Sequence, residues 1–224
     1  MFIKLLSPLK IMSKQKITAR TDNQSFYYES FVGRLLGGKA RETLIEKEMK
    51  HIKKTDSFLE VGCAQGYYLS KALKKTKKVF GFDVSADFIS KAKETRAECF
   101  VATAEKIPFK SNSFDFVLCT EVLEHIKNWK KAISEIKRVT KKNGKVIVTI
   151  PLEKSYFWSF VSLFYPPIET RGHVNLLKTK ELEKEFLPFK IKDKKFIQTM
   201  SQSINMHLPQ KEKISMYCFF VFEK

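Results

Sequence analysis

From residue 58 onward, short apolar runs alternate with segments whose apolar residues recur every three or four positions. The second pattern is clearest where Trp129, Ala132, Ile133 and Ile136 fall on one stripe of a helix. The apolar runs predict buried strands, at 58–61, 79–82, 99–101, 114–119 and 145–150. Strands that alternate with helices of this length predict an α/β fold with a doubly wound parallel sheet.

Polar residues punctuate this pattern and predict where elements begin and end. Ser85 is expected to cap a helix, and Asn143 with Gly144 to end the helix that carries Trp129. Further along the chain, a helix is predicted at 181–186, followed by strands at 189–197 and 217–222.

The strand at 58–61 runs into two glycines, Gly62 and Gly66, and the next strand ends at Asp83. Glycines let the backbone turn tightly out of a strand and approach a bound ligand. An acid about 20 residues beyond the first glycine is placed to accept hydrogen bonds from ribose hydroxyls. The spacing therefore predicts a pocket for a nucleoside.

The same segment indicates which nucleoside cofactor the pocket takes. Gly62 and Gly66 lack the third glycine of a dinucleotide site, and Glu60 would repel a diphosphate but attract a cation. An adenosine compound with positive charge and no phosphate fits this set, which describes S-adenosylmethionine (SAM). The simpler interpretation is a strand, turn and helix with an incidental acid.

Several motifs in order narrow that choice. They are the segments 60–66, 104–109, 121–125, 138–145 and 172–176, together with Asp83. With them the chain resembles the class I SAM-dependent methyltransferases, and among these the methyltransferase type 11 group, over roughly residues 55–224. The resemblance implies a Rossmann-like, seven-stranded, mostly parallel sheet with helices on both faces, and a last strand inserted antiparallel.

The resemblance also implies a role for each cofactor-binding residue. The methionine end of SAM would be lined by Glu60, Gly62, Cys63 and Gly66; the ribose would be held by Asp83 and the backbone at Val84. The adenine would be edged by Thr103, Ala104 and Glu105, and the sulfonium would lie above Cys119, Thr120 and Glu121. Thr103 departs from the family, which usually has an acid there, and its hydroxyl is a weaker acceptor than a carboxylate.

Composition adds charge and redox context. The 224 residues carry a formal net charge of +18, which suits RNA or an anionic membrane surface, but the lysines are dispersed and indicate solvated faces in a lysine-rich proteome. The four cysteines show no disulfide or metal spacing and the four histidines are scattered, so no metal is expected. Lys4, Pro8 and Lys10 argue against a signal peptide, and a cytoplasmic protein is expected.

Three regions are expected along the chain. Residues 1–54 would form an N-terminal helical segment, which the resemblance places over the cofactor cleft, with a helix at 39–53 that aligns Ile45, Met49 and Ile52. Residues 55–224 would form the SAM-binding domain. Within it, 151–180 would be a substrate-side insertion, whose uncharged aromatic run at 156–165 reads equally as a lid or as a structural helix.

Two histidines are the candidate catalytic groups. His125 and His173 could each remove a proton from the acceptor, although each could also be structural, and the structural interpretation is favoured for His125. The expected function is methyl transfer from SAM to a small or lipid-like acceptor, with a peripheral membrane contact and no stable protein partner. The alternatives are an RNA methyltransferase and a SAM-binding module without turnover; no base-methylating Asn-Pro-Pro-Tyr motif follows the fourth strand.

Overall fold

A computed structural model of the protein describes residues 39–152, 173–197, 215 and 217–224. The helices are α1 (Lys39–Met49), α2 (Tyr67–Leu73), α3 (Ala86–Ala92), α4 (Trp129–Val139) and α5 (Thr179–Phe186). The strands are β1 (Ser57–Val61), β2 (Lys78–Asp83), β3 (Glu98–Val101), β4 (Phe114–Thr120), β5 (Thr140–Pro151), β6 (Lys190–Ile197) and β7 (Tyr217–Glu223). Two 3₁₀ turns, Lys93–Thr95 and Leu123–His125, lie between them.

The strands form one sheet in the order β3-β2-β1-β4-β5-β7-β6. Strands β1 to β5 pair in parallel, and β7 is inserted between β5 and β6, antiparallel to both. The predicted doubly wound, seven-stranded sheet with an antiparallel last strand is therefore confirmed. The strand order reverses between β1 and β4, and in open α/β sheets ligands bind at the carboxyl ends of the strands beside such a switch point.

Apolar side chains cover both faces of the sheet. One cluster packs α4 and α5 against it, and the predicted stripe Trp129, Ala132, Ile133 and Ile136 is buried there. The other cluster packs α1, α2 and α3 on the opposite face. With both faces covered, the central strands are shielded from solvent, and their carboxyl ends remain as the place where functional groups meet.

The predicted end of the helix that carries Trp129 is wrong by several residues. This helix, α4, ends at Val139, and the chain continues from Thr140 directly into β5. Thr140 already pairs with Phe114 of β4, and the irregular segment that follows is held by Lys224: Asn143 N–H donates to Lys224 O at 2.9 Å, and Lys224 N–H donates to Gly144 O at 3.1 Å. Neither partner is visible in the local sequence pattern.

A helix, α1, occupies most of the predicted range 39–53 and ends at Met49. Helix α1 buries Ile45 and Met49, and Ile52 is buried just beyond its end. The remainder of the 1–54 segment, and the aromatic run at 156–165, lie outside the described residues. Among the helices that the structure describes, none is long and apolar enough to cross a membrane.

Candidate active site

The loop between β1 and α2 turns sharply at the switch point. Three of its residues have positive φ angles: Gly62 at 69°, Ala64 at 43° and Gly66 at 85°. The amides of Gly62 and Cys63 both donate to Phe82 O, at 2.9 and 3.0 Å, and so tie the loop to the end of β2. This loop lies at the carboxyl edge of the sheet, where the cofactor cleft is expected.

Gly62 is required by a contact that its own segment does not reveal. A Cβ atom at this position would lie 2.5 Å from Cγ2 of Val122, which follows β4. From the sequence, this glycine is expected to allow close approach of a ligand. In the structure Val122 already occupies the space beside it, so Gly62 also lets the loops after β1 and β4 meet.

Asp83 joins the loop to the helix that follows β2. Its Oδ2 accepts from the amide of Ala64 at 3.0 Å, and its Oδ1 accepts from the amide of Ser85 at 2.9 Å. Ser85 in turn caps α3 by accepting from Phe88 N–H at 3.3 Å, as predicted. Each carboxylate oxygen can accept a second hydrogen bond, so Asp83 is held in place while retaining capacity for hydroxyl donors.

Glu60, on β1, is the most unusual charged group of the cleft. It is only 3% exposed, and its Oε2 is buried without a hydrogen-bond partner among the described residues. Burial raises its pKa well above the usual value, with Cys99 and Asp83 adding to the shift and the Leu69 amide opposing it. A buried carboxylate with an unsatisfied oxygen is stabilised by a cationic ligand.

Acidic groups also surround the end of β4. Burial raises the pKa of the Cys119 thiol, and the carboxylates of Glu124, Glu121 and Glu60 raise it further. Cys119 is therefore a neutral thiol in a region of negative potential. Such a region favours a sulfonium or another cation over a phosphate.

Glu121 is held by two elements that the sequence pattern did not connect to it. Thr149 Oγ1, on β5, donates to Glu121 Oε1 at 2.8 Å. Arg41 Nη1, on α1, lies 3.4 Å from Glu121 Oε2, and both side chains are nearly buried. The N-terminal helix thus reaches the carboxyl end of β4.

The loop after β3 carries Thr103, Ala104 and Glu105, and Arg138 on α4 fastens the segment that follows them. Its guanidinium donates to Phe109 O at 2.7 Å and to Ile107 O at 3.0 Å. Burial alone would raise the pKa of Glu135, but the hydrogen bonds from Arg138 and from the Ile107 amide outweigh it, so this pKa is lowered. The loop that would border the adenine is therefore fixed from α4.

Replacing Arg138 with methionine should lower the free energy of unfolding by about 2–3 kcal/mol, because several charge-assisted hydrogen bonds are lost together. Since the lowered pKa of Glu135 stabilises the fold above its ordinary titration range, the variant should also lose less stability on acidification than the wild type. Urea unfolding at several pH values measures both effects. Lys142→Met, which removes an exposed cation on β5, is the control, and equal effects in the two variants would contradict the clamp.

His125 and His173, distant in sequence, come together beside the turn that follows β4. Their ring centroids lie 4.7 Å apart, with the planes at 70°. His125 closes the 3₁₀ turn after β4 rather than opening a helix, because α4 begins only at Trp129.

The central part of the chain matches a known domain family. Residues 59–148 match the family described as a methyltransferase domain. The chain belongs to the SAM-dependent methyltransferases. SAM is thus its cofactor, and the buried, unsatisfied carboxylate of Glu60 fits the positive charge of that molecule.

The sequence is similar to several curated proteins, over different shares of their lengths. Two uncharacterized proteins of Methanocaldococcus jannaschii are 32% and 30% identical; the matches cover 62% and 72% of this chain and 64% and 76% of those proteins. The demethylmenaquinone methyltransferase of Oceanobacillus iheyensis is 30% identical over 43% of this chain and 45% of its own. A tRNA (carboxymethyluridine(34)-5-O)-methyltransferase of Xenopus tropicalis is 30% identical over 43% of this chain but only 16% of its own.

Solved structures confirm the fold. The crystal structure of a SAM-dependent methyltransferase from Mesorhizobium loti superposes with a TM-score of 0.65 and 12% sequence identity, covering 84% of this chain and all of that one.

The methyltransferase places every sequence-predicted cofactor residue at the carboxyl edge of β1 to β4 or in the loops that follow. These residues are Glu60, Gly62, Cys63, Gly66, Asp83, Val84, Thr103, Ala104, Glu105, Cys119, Thr120 and Glu121. Their individual contacts with SAM stay predictions. All four cysteines fall within the described residues, and they are buried and free of disulfides, as expected. Sequence reasoning missed Val122, Thr149, Arg41 and the clamp formed by Arg138, because each acts from another element.

Proposed function

We infer that the methyltransferase acts on a small or lipid-like acceptor. The use of SAM is supported above all by the burial of Glu60, because a buried carboxylate destabilises the fold unless a cationic ligand neutralises it. The acceptor class is supported by the similarity to a demethylmenaquinone methyltransferase and by the uncharged aromatic run at 156–165, which follows β5 in the sequence.

The chain's own residues would position the cofactor and exclude water. Bound SAM supplies an activated methyl group together with its leaving group. Glu60 would neutralise its positive charge, Asp83 would accept from ribose hydroxyls, and the loop at Thr103 would border the adenine. Since the leaving group is already present, alignment of the acceptor provides most of the rate enhancement. His125 or His173 would take up a proton if the acceptor is a hydroxyl.

The runner-up is methylation of RNA. Its support is the net charge of +18 and the similarity to a tRNA methyltransferase over a small part of that protein. Dispersed lysines give binding to phosphates that weakens steeply with salt and carries no sequence preference.

The experiment that separates these functions offers the purified chain radiolabelled SAM with three fractions of cell extract: lipids, polar metabolites and total RNA. We expect label in the lipid or metabolite fraction. Asp83→Asn should abolish most of this transfer because an acceptor for the ribose is lost, whereas Asp87→Asn, on an exposed position of α3, should retain it.

Label found only in RNA at physiological salt would overturn the proposed acceptor class and establish the runner-up. If the chain bound SAM but labelled none of the fractions, it would be a SAM-binding module without turnover. Absence of SAM binding altogether would contradict the cofactor assignment to this cleft.

A further inference from the structure

Three side chains with metal-binding atoms converge beside the cofactor residues. Glu124, His125 and His173 each offer one ligand atom, and these atoms all lie within 4.8 Å of one another. The first two follow β4 directly, whereas His173 arrives from a distant part of the chain. No metal-binding spacing is visible in the sequence, because the third residue is brought in only by folding.

Backbone hydrogen bonds hold this group of residues in place. The amides of Val174 and Asn175 both donate to Glu124 O, at 2.9 and 3.1 Å. The side-chain amide of Asn175 donates to Ile126 O at 2.6 Å. These three bonds fix the segment of His173 against the turn that carries His125, and the two imidazoles lie edge to face.

The side chains differ in their access to solvent. The Glu124 side chain is 1% exposed, the His125 side chain is 29% exposed, and His125 Nε2 lies 4.0 Å from Glu124 Oε1. His173 is also partly exposed. The carboxylate therefore lies deepest in the protein, and the two imidazoles lie between it and the solvent from which an ion would enter.

We propose that Glu124, His125 and His173 form a binding site for a divalent transition-metal ion of the zinc or cobalt type. Two imidazoles and one carboxylate suit these ions, whereas magnesium and calcium prefer oxygen ligands. Three protein ligands leave a position open for water or a substrate oxygen, as in catalytic zinc sites. The proposal replaces the expectation, drawn from scattered histidines, that the chain holds no metal.

The distances allow such an ion with small side-chain movements. Bonds of about 2.0–2.2 Å place tetrahedral ligand atoms about 3.3 Å apart. The three donors would therefore move inward by roughly 1.5 Å at most, which side-chain rotation provides while the backbone hydrogen bonds remain. The negative potential that raises the pKa of Cys119, to which Glu124 contributes, also favours a cation here.

An ion at this position would have a role in methyl transfer, and that role rests on the proposed function. Glu124 and His125 follow β4 three and four residues beyond Glu121, which the family resemblance places near the sulfonium of SAM. A bound ion can hold an acceptor oxygen and lower the pKa of its proton, which would pass to solvent water before the oxygen takes the methyl group. The histidines would then act as ligands, and neither would serve as the base.

Metal binding can be tested without any acceptor. The tag-free, full-length chain is stripped with a chelator, desalted and titrated with Zn²⁺, Co²⁺ and Mg²⁺ by calorimetry, and Co²⁺ binding is followed by visible absorption. We expect one Zn²⁺ or Co²⁺ per chain, Mg²⁺ weaker by at least about 100-fold, and cobalt bands without the near-ultraviolet absorption of a thiolate ligand.

Variants decide which residues bind the ion. His173→Ala and Glu124→Gln should each weaken Zn²⁺ binding at least about tenfold, while His51→Ala, an exposed histidine after α1, should bind as the wild type does. SAM affinity and the melting temperature, measured on the same samples, show that a variant is folded. His173 is partly exposed, so its variant remains informative if Glu124→Gln fails to fold.

Absence of saturable Zn²⁺ and Co²⁺ binding in the wild type would overturn the proposal. Unchanged affinity in folded His173→Ala, or thiolate bands in the cobalt spectrum, would overturn it as well. These outcomes leave the methyl-transfer proposal intact, because that proposal fails only in the labelling experiment.

Discussion

Replacing Glu60 with glutamine is expected to weaken SAM binding by about 100-fold, on the order of 3 kcal/mol, because the buried carboxylate would lose its charge. The same change should stabilise the protein without SAM at neutral to alkaline pH. A buried charge lowers the free energy of unfolding of the protein without SAM, whereas an amide of the same shape carries no charge. Calorimetric titration gives the affinity, and thermal unfolding in the absence of SAM gives the stability.

The pH dependence follows from the raised pKa of Glu60. The folded protein retains a proton that the unfolded chain releases, so stability without SAM should fall as pH rises from the usual glutamate range through the raised value. A cationic ligand favours the carboxylate, so SAM affinity should rise over the same window and binding should release protons. Glu60→Gln should remove both trends.

Two measurements check this coupling. Titrations in buffers of different ionisation enthalpy count the protons released on binding. Glu98→Gln, an exposed acid on β3, serves as the control and should change neither affinity nor the pH trend. If Glu60→Gln bound SAM as tightly as the wild type, Glu60 would not be the group that meets the positive charge of the cofactor.

Substituting alanine for Gly62 is expected to cost about 2–5 kcal/mol of stability and to abolish measurable SAM binding. Two effects add: a positive φ of 69° strains any residue with a Cβ, and that Cβ would lie 2.5 Å from Val122 Cγ2. Because Gly62 joins the loop after β1 to the segment after β4, a shift here would displace both walls of the cleft. Urea unfolding and SAM titration measure the two losses.

The two effects can be separated by companion variants. Gly62→Ala combined with Val122→Ala should recover the steric part of the loss but not the backbone part. Ala64→Gly, at a positive φ of 43° in the same loop, should leave stability unchanged or slightly increased. If Gly62→Ala were as stable as the wild type, the close approach of Val122 would not constrain this position.

The local pattern of the chain was sufficient for most elements and for the positions of the cofactor residues. Helix α4 has its apolar stripe because residues three or four apart share a face, and β1, β2 and β4 read as buried strands because both of their faces are covered. Glu60, Gly62 and Asp83 were recognised because a turn out of a strand and an acid at the next strand end have fixed sequence spacing. The antiparallel insertion of β7 came from resemblance to a family and not from periodicity.

The features that the sequence predicted wrongly or did not predict depend on contacts between distant parts of the chain. The predicted end of α4 is too late because Thr140 leaves the helix to pair with Phe114 of β4, and Lys224 holds the segment before Gly144. Arg138 was seen as part of a motif, but its hydrogen bonds to Ile107 and Phe109 were not predicted. A local pattern shows which residues are buried and which begin or end a helix or strand, but it does not identify the residues that they contact.

The sequence by itself thus determined the α/β class, the position of the cofactor loop and the positive charge of its ligand, since each depends on neighbouring residues. Only the tertiary structure decided that Val122 occupies the space above Gly62, and that His173 meets His125 and Glu124. The reason is that these contacts join residues that are close only once the sheet has ordered its strands. Short-range spacing carries the first kind of information, and long-range chain packing creates the second.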